Sequence, residues 1–186
     1  CQGSTLTLEA NGQQVATATD TSLKPGKAGV IIGTFDEGGV NYVFDNFKIY
    51  GLGTQGSSVV PPAPADTFTG GGELLFSDDF SNKNSGWDVY KNTGYTNDGS
   101  YRILIENEDW EAFGNPYRDF PDGIVAEVDA TVVQGHAANG FGIICGYQNV
   151  DDFFALLVGT HGFAEIIRYT DDGRNVLKEA WNVPTN

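Results

Sequence analysis

Between Ile124 and Val133 the chain alternates apolar and polar residues. Ile124, Ala126, Val128, Ala130 and Val132 fall on one side, and Glu127, Asp129 and Thr131 on the other. A period of two is the signature of a strand with one buried face. The same pattern opens the chain, where Leu6 and Leu8 alternate with Thr5, Thr7 and Glu9 before Asn11-Gly12. Asn-Gly is a strong hairpin signal, because both residues tolerate the positive φ of a tight turn. Further strands are predicted at Gln13–Ala18, Ala28–Thr34, Val40–Tyr50, Leu74–Phe80 and 99–105. Four longer runs follow at Ile124–Val133, Gly140–Tyr147, Phe153–Gly159 and Phe163–Tyr169, and a last one runs from Asn175 to Trp181. Residues 107–122 read as irregular and aromatic. In Val40–Tyr50 the alternation fails: Tyr42, Phe44, Asn46 and Lys48 share one face, Val43, Asp45, Phe47 and Ile49 the other, and neither is uniformly polar. The whole reads as about eleven strands and no helix, an antiparallel all-β sandwich of jelly-roll character.

Glycine, serine and proline interrupt this pattern once. From Gly51 to Gly72 the chain carries Gly56-Ser57-Ser58, Pro61-Pro62-Ala63-Pro64 and Gly70-Gly71-Gly72, the composition of a linker. The expected organisation is therefore a half-sandwich over 1–52, a linker over 53–75 and a second half-sandwich over 76–186. Four strands in the first block would leave much apolar surface in water if they folded alone. The sandwich is expected to close only when 1–52 combines with 76–186, of the same chain or of a neighbour.

Composition narrows the function. A chain of 186 residues with 40% apolar residues supports a real core. A formal net charge of −15 argues against nucleic acid and against anionic membranes, and no apolar run is long enough to span a bilayer. There is no methionine, so Cys1 is not a translation start and the chain reads as processed or as a piece of something longer. The two cysteines, Cys1 and Cys145, allow a single pairing. A metal or redox centre would want more ligands or a Cys-x-x-Cys spacing. A structural disulfide in an oxidising compartment is the expectation, with two buried thiols or a reactive Cys1 as the alternatives.

Phe76-Ser77-Asp78-Asp79-Phe80-Ser81 with Gly86-Trp87 resembles the first strand and loop of the concanavalin A-like (laminin G-like) β-sandwich modules of secreted bacterial proteins. Gly140 through Gln148, followed by Asp152-Phe153-Phe154, resembles the central strands; Cys1-Gln2-Gly3 through Leu8, with Asn11-Gly12, resembles a later hairpin. Gly29-Val30-Ile31 and Phe44-Asp45-Asn46-Phe47-Lys48-Ile49 resemble the closing pair. These matches occur in circularly shifted order, the closing strands first. The resemblance implies a concanavalin A-like fold, and strands that bring Cys1 and Cys145 close.

Candidate chemistry is sparse. Hydrolases of this fold class carry Glu-x-Asp-x-x-Glu on one strand; here Glu127-Val128-Asp129-Ala130-Thr131 is followed by Val132, so the second glutamate of the pair is absent. His136 and His161 sit in glycine-rich turns. Asp45 of the closing strand, with Asp78 or Asp79 of the opening strand, is the candidate calcium site, short carboxylates being hard-cation ligands. Trp87, Trp110 and Tyr117, in irregular segments, are candidate glycan-stacking residues. No cofactor is required. The expectation is a non-enzymatic extracellular structural or adhesive subunit. Its partners are copies of itself, joined head to tail by shared strands into a filament or tandem array. The alternative is a carbohydrate-binding module whose partner is a polysaccharide.

Overall fold

The structure is a computed structural model and describes residues 1–35, 37–53, 72–135 and 139–183. The linker centre and His136 lie outside them. Fourteen strands are formed and no helix occurs among the described residues. The chain is an antiparallel β-sandwich.

From the first half come β1 (Thr5–Ala10), β2 (Gln13–Thr19), β3 (Gly26–Gly33) and β4 (Val40–Gly51). The second half supplies β5 (Glu73–Asp78), β6 (Thr93–Tyr95), β7 (Tyr101–Ile105), β8 (Glu111–Gly114) and β9 (Asp119–Phe120). It continues with β10 (Ile124–Gln134), β11 (Gly140–Asn149), β12 (Asp152–Gly159), β13 (Phe163–Thr170) and β14 (Gly173–Trp181). Three short strands, β6, β8 and β9, form in segments expected to be loop, and β5 starts at Glu73, inside the stretch assigned to the linker.

One layer is a seven-stranded sheet in the order β14-β13-β12-β11-β3-β8, with β9 also paired to β3. Facing it is a five-stranded sheet, β10-β4-β7-β6, with β5 paired to β4. The β1–β2 hairpin forms a separate two-stranded sheet. Its turn takes the form the sequence predicts, Asn11 and Gly12 having φ of 51° and 74°.

The two larger sheets bury one core. Ala28, Val30 and Ile32 of β3 meet Tyr42, Phe44, Phe47 and Ile49 of β4 and Tyr101 and Ile103 of β7. Each valine, isoleucine or phenylalanine among them contributes about 1.5–3 kcal/mol by leaving water. The broken alternation in β4 is a β-bulge. Across from β10, Glu127 pairs with Lys48 and Asp129 with Asp45, so Asn46 and Phe47 oppose Val128 alone. Asn46 takes φ 52° there, and the strand changes phase. Val40, Tyr42 and Phe44 point inward before the bulge, Phe47 and Ile49 after it.

The hairpin lies on the same inner face farther along, with Leu6, Leu8 and Ala16 packed on Phe154, Leu156, Ala164 and Ile166. The seven-stranded sheet curls so strongly that its outer face fills itself. Phe113 of β8 reaches Phe153 of β12 at 5.6 Å between ring centroids, and Phe153 stacks on Tyr169 of β13 at 4.4 Å. Tyr169 Oη donates to the carboxylate of Glu111 on β8, and Arg174 of β14 pairs with Glu165 of β13. Ile31, Ile144, Ala155 and Ile167 are sealed beneath.

Candidate functional site: a cleft between two sheet edges

The layer opposite the seven-stranded sheet is discontinuous. The five-stranded sheet ends at β10 and the hairpin ends at β1, and among the described residues no strand pairs with the facing edge of either. Between them runs a cleft of about 580 Å³. Thr5, Thr7 and Glu9 of β1 form one wall, and Val125, Glu127 and Asp129 of β10 the other. Its floor is Leu8 with Ile143 and Leu156, a cross-strand pair of β11 and β12.

One end of the cleft is closed. The backbone N–H of Ile124 donates to Cys1 O at 2.9 Å, and the Cys1 amino group donates to Ile124 O at 3.0 Å, an antiparallel exchange. Gln2 and Thr5 exchange bonds of 2.9 and 2.8 Å around Gly3-Ser4, which turns the chain back so that β1 runs in the same sense as β10. Asp122 Oδ1 accepts from the N–H of Gly3 at 2.9 Å. The Cys1–Cys145 disulfide, with Cα atoms 6.8 Å apart, ties this corner to β11. Because the Ile124 N–H points at Cys1, Ala126 and Val128, at steps of two along the pleat, aim their backbone groups into the cleft. Thr5 points at Gln2, so Thr7 does the same from the other wall.

Charge around the rim is mostly negative. Glu9, Glu127 and Asp129 stand against Lys48, and Asn46 Nδ2 donates to Asp129 Oδ2 at 2.9 Å. Glu127 and Asp129, singled out for their hydrolase-like spacing, are both exposed on this rim.

The structure separates the other expected site residues by role. β5 pairs with β4, setting Asp78 opposite Phe47. Asp78 is buried; its Oδ1 accepts from the N–H of Phe80 at 2.8 Å and its Oδ2 from Trp87 Nε1 at 2.9 Å. Asp79 Oδ1 accepts from Ser81 N at 3.0 Å and from its hydroxyl, and these bonds hold its pKa below the usual value. Asp45, across the bulge, accepts from Asn46 N and sits opposite Asp129. Among the described residues no three acidic, histidine or cysteine side chains cluster as metal ligands.

Trp87 is withdrawn from the surface. Its ring packs on Phe47 and Phe80, each 4.9 Å between centroids, and on Tyr101 at 5.1 Å, so it offers no face to a sugar. Trp110 and Tyr117 are exposed, 58% and 67%. Tyr117 has φ 48° and is held at both ends: its N–H donates to Asn115 Oδ1 at 2.9 Å, and its hydroxyl to Asp88 Oδ1. The Asp88 carboxylate pushes the Tyr117 phenol up to about 12. His161 is exposed in the turn after β12.

No protein-family model matches this chain, and comparison with curated proteins and with solved structures finds no match either.

Proposed function

We propose that the protein is a non-enzymatic, extracellular β-sandwich subunit, structural or adhesive in role, that assembles head to tail by sharing strands. The supporting observation is interleaving. β3 lies between β11 and β8, and β4 between β10 and β7, so the first half supplies an inner strand of each large sheet and the second half every strand beside it. The same pairings can form within one chain or between residues 1–52 of one copy and 73–183 of the next. Passed on from copy to copy, exchange of that kind is head to tail, and where the rotation between neighbours does not close it yields a filament. The Cys1–Cys145 bond then joins neighbours, and a disulfide suits an oxidising, extracellular setting. Intact mass under denaturing conditions, measured on the 186-residue chain exported to an oxidising compartment, tests this. A ladder that collapses to 20.0 kDa on reduction is expected. A single 20.0 kDa species with and without reductant would overturn strand sharing.

The rigidly held, exposed Tyr117 supports a second reading as a carbohydrate-binding module. Retention on a polysaccharide gel that disappears in Tyr117→Ala would favour it over the first.

A further inference from the structure

The chain leaves β4 and enters β5 at one corner of the sandwich. The two strands are antiparallel neighbours, with Gly51 opposite Glu73 and Tyr50 opposite Leu74. Gly72 lies so close to the exit that a Cβ on it would stand 2.2 Å from Gly51 O. The exit is fastened to the second half as well: Leu52 N–H donates to Gly123 O at 2.7 Å, and Gly51 is the cross-strand partner of Ile124. The Cys1–Cys145 bond is made beside it, since Cys1 O accepts from the Ile124 N–H at 2.9 Å. Antiparallel neighbours of this kind are ordinarily joined by a loop of about two to five residues. Here the whole of 52–72 intervenes, a length that closure within one chain does not require.

Resting on the strand-sharing reading, we propose that this corner, Gly51 against Gly72 and Glu73, is the crossover point between copies, and that the surplus length of 52–72 is what permits the exchange. Length acts in two ways. Going from about two to about twenty residues between paired ends weakens the preference of one half for its own partner roughly thirtyfold, through loop-closure entropy. A chain of about twenty residues also spans up to about 70 Å, enough to enter the same corner of a neighbouring globule. A two-residue turn does neither, and holds β4 and β5 in one globule. In a shared globule the connection leaving Gly51 of one copy and the connection arriving at Glu73 of the other meet at this corner, beside the disulfide. Every covalent joint between neighbours is therefore made there.

The test replaces residues 52–72 by Asn-Gly, as at Asn11-Gly12, and repeats the non-reduced mass measurement beside the parent at equal protein concentration. A second variant with a five-residue Gly-Asn-Gly-Ser-Gly loop covers a turn too tight to fold, and a third keeps the original length with glycine and serine only. Folding is read from the amide spectrum, whose β-sheet shifts should match the parent's. The short variants are expected to fold and to lose species heavier than one chain at least tenfold, while the glycine-serine variant keeps the parent's ladder. A ladder persisting in a folded short variant would overturn the crossover assignment and leave strand sharing standing. Loss of the ladder in the glycine-serine variant would overturn the role of length. Failure of both short variants to fold would overturn the assignment too, because Gly51 and Glu73 would not then be hairpin neighbours. A parent without a ladder would overturn strand sharing itself, and the crossover with it.

Discussion

Tyr42 carries its hydroxyl into the core, fully buried and without a hydrogen-bond partner among the described residues; burial pushes its pKa up to about 12. Removing that oxygen is expected to stabilise the protein. Tyr42→Phe should raise the urea midpoint by the equivalent of about 1 kcal/mol, and a lowered midpoint would show a hidden partner. Asp78 is the opposite case, since it satisfies two buried donors. Asp78→Ala should cost about 2–4 kcal/mol in the same assay by stranding the Trp87 indole N–H. Glu111 introduces a pH dependence. Burial raises its pKa, and the Tyr169 hydroxyl and Arg174 only partly offset this. A carboxyl with a raised folded-state pKa leaves stability intact below the usual carboxylate range and lowers it as pH climbs through the folded value. Glu111→Gln keeps an acceptor for Tyr169 and removes the ionisation. The variant's melting temperature should therefore gain on the parent's as pH rises above about 4. Parallel pH curves would refute that account.

Strands with one wet face were the most legible elements, because their alternation states which side is buried, as in β1 and β10. β3, β12 and β13 are largely buried on both faces, since the curled sheet packs inward on one core and outward on the aromatic plug. Their sequence located them without saying which residue faces which core. The β4 bulge was visible as a break of phase at Asp45-Asn46. β8 was not, for it is four residues long and is held in place by pairing with a strand some eighty residues earlier. The cleft is not legible for a related reason: Ile143 reads as ordinary core, and only the spacing of the opposite layer opens it. Trp87 and Tyr117 both stand in polar loops, and only packing tells a core ring from a surface one. Two element-scale predictions follow from close approach and closure. A Cβ at Gly29 would lie 2.1 Å from Gly114 O, so Gly29→Ala should push β3 and β8 apart and lower the melting temperature. Replacing both cysteines by serine should cost about 3 kcal/mol, read from urea unfolding, because the bond closes a long loop of unfolded chain.

At the scale of the molecule, a net charge of −15 on a 20.0 kDa chain is a standing self-repulsion. Raising sodium chloride from about 0.02 M to about 0.5 M should raise the melting temperature by screening it. An unchanged value would mean that local pairs already compensate the acids. The interleaved topology also bears on how the chain is made. β3, largely buried on both faces, precedes its nearest partner β8 by some eighty residues and its long partner β11 by more than a hundred. A ribosome working from one end therefore releases the strand most in need of cover first, and its neighbours last. During that interval an already finished second half of another copy is as good a shelter as the one still being synthesised. Translation speed and local crowding of nascent chains would then help decide whether each copy folds alone or into its neighbour.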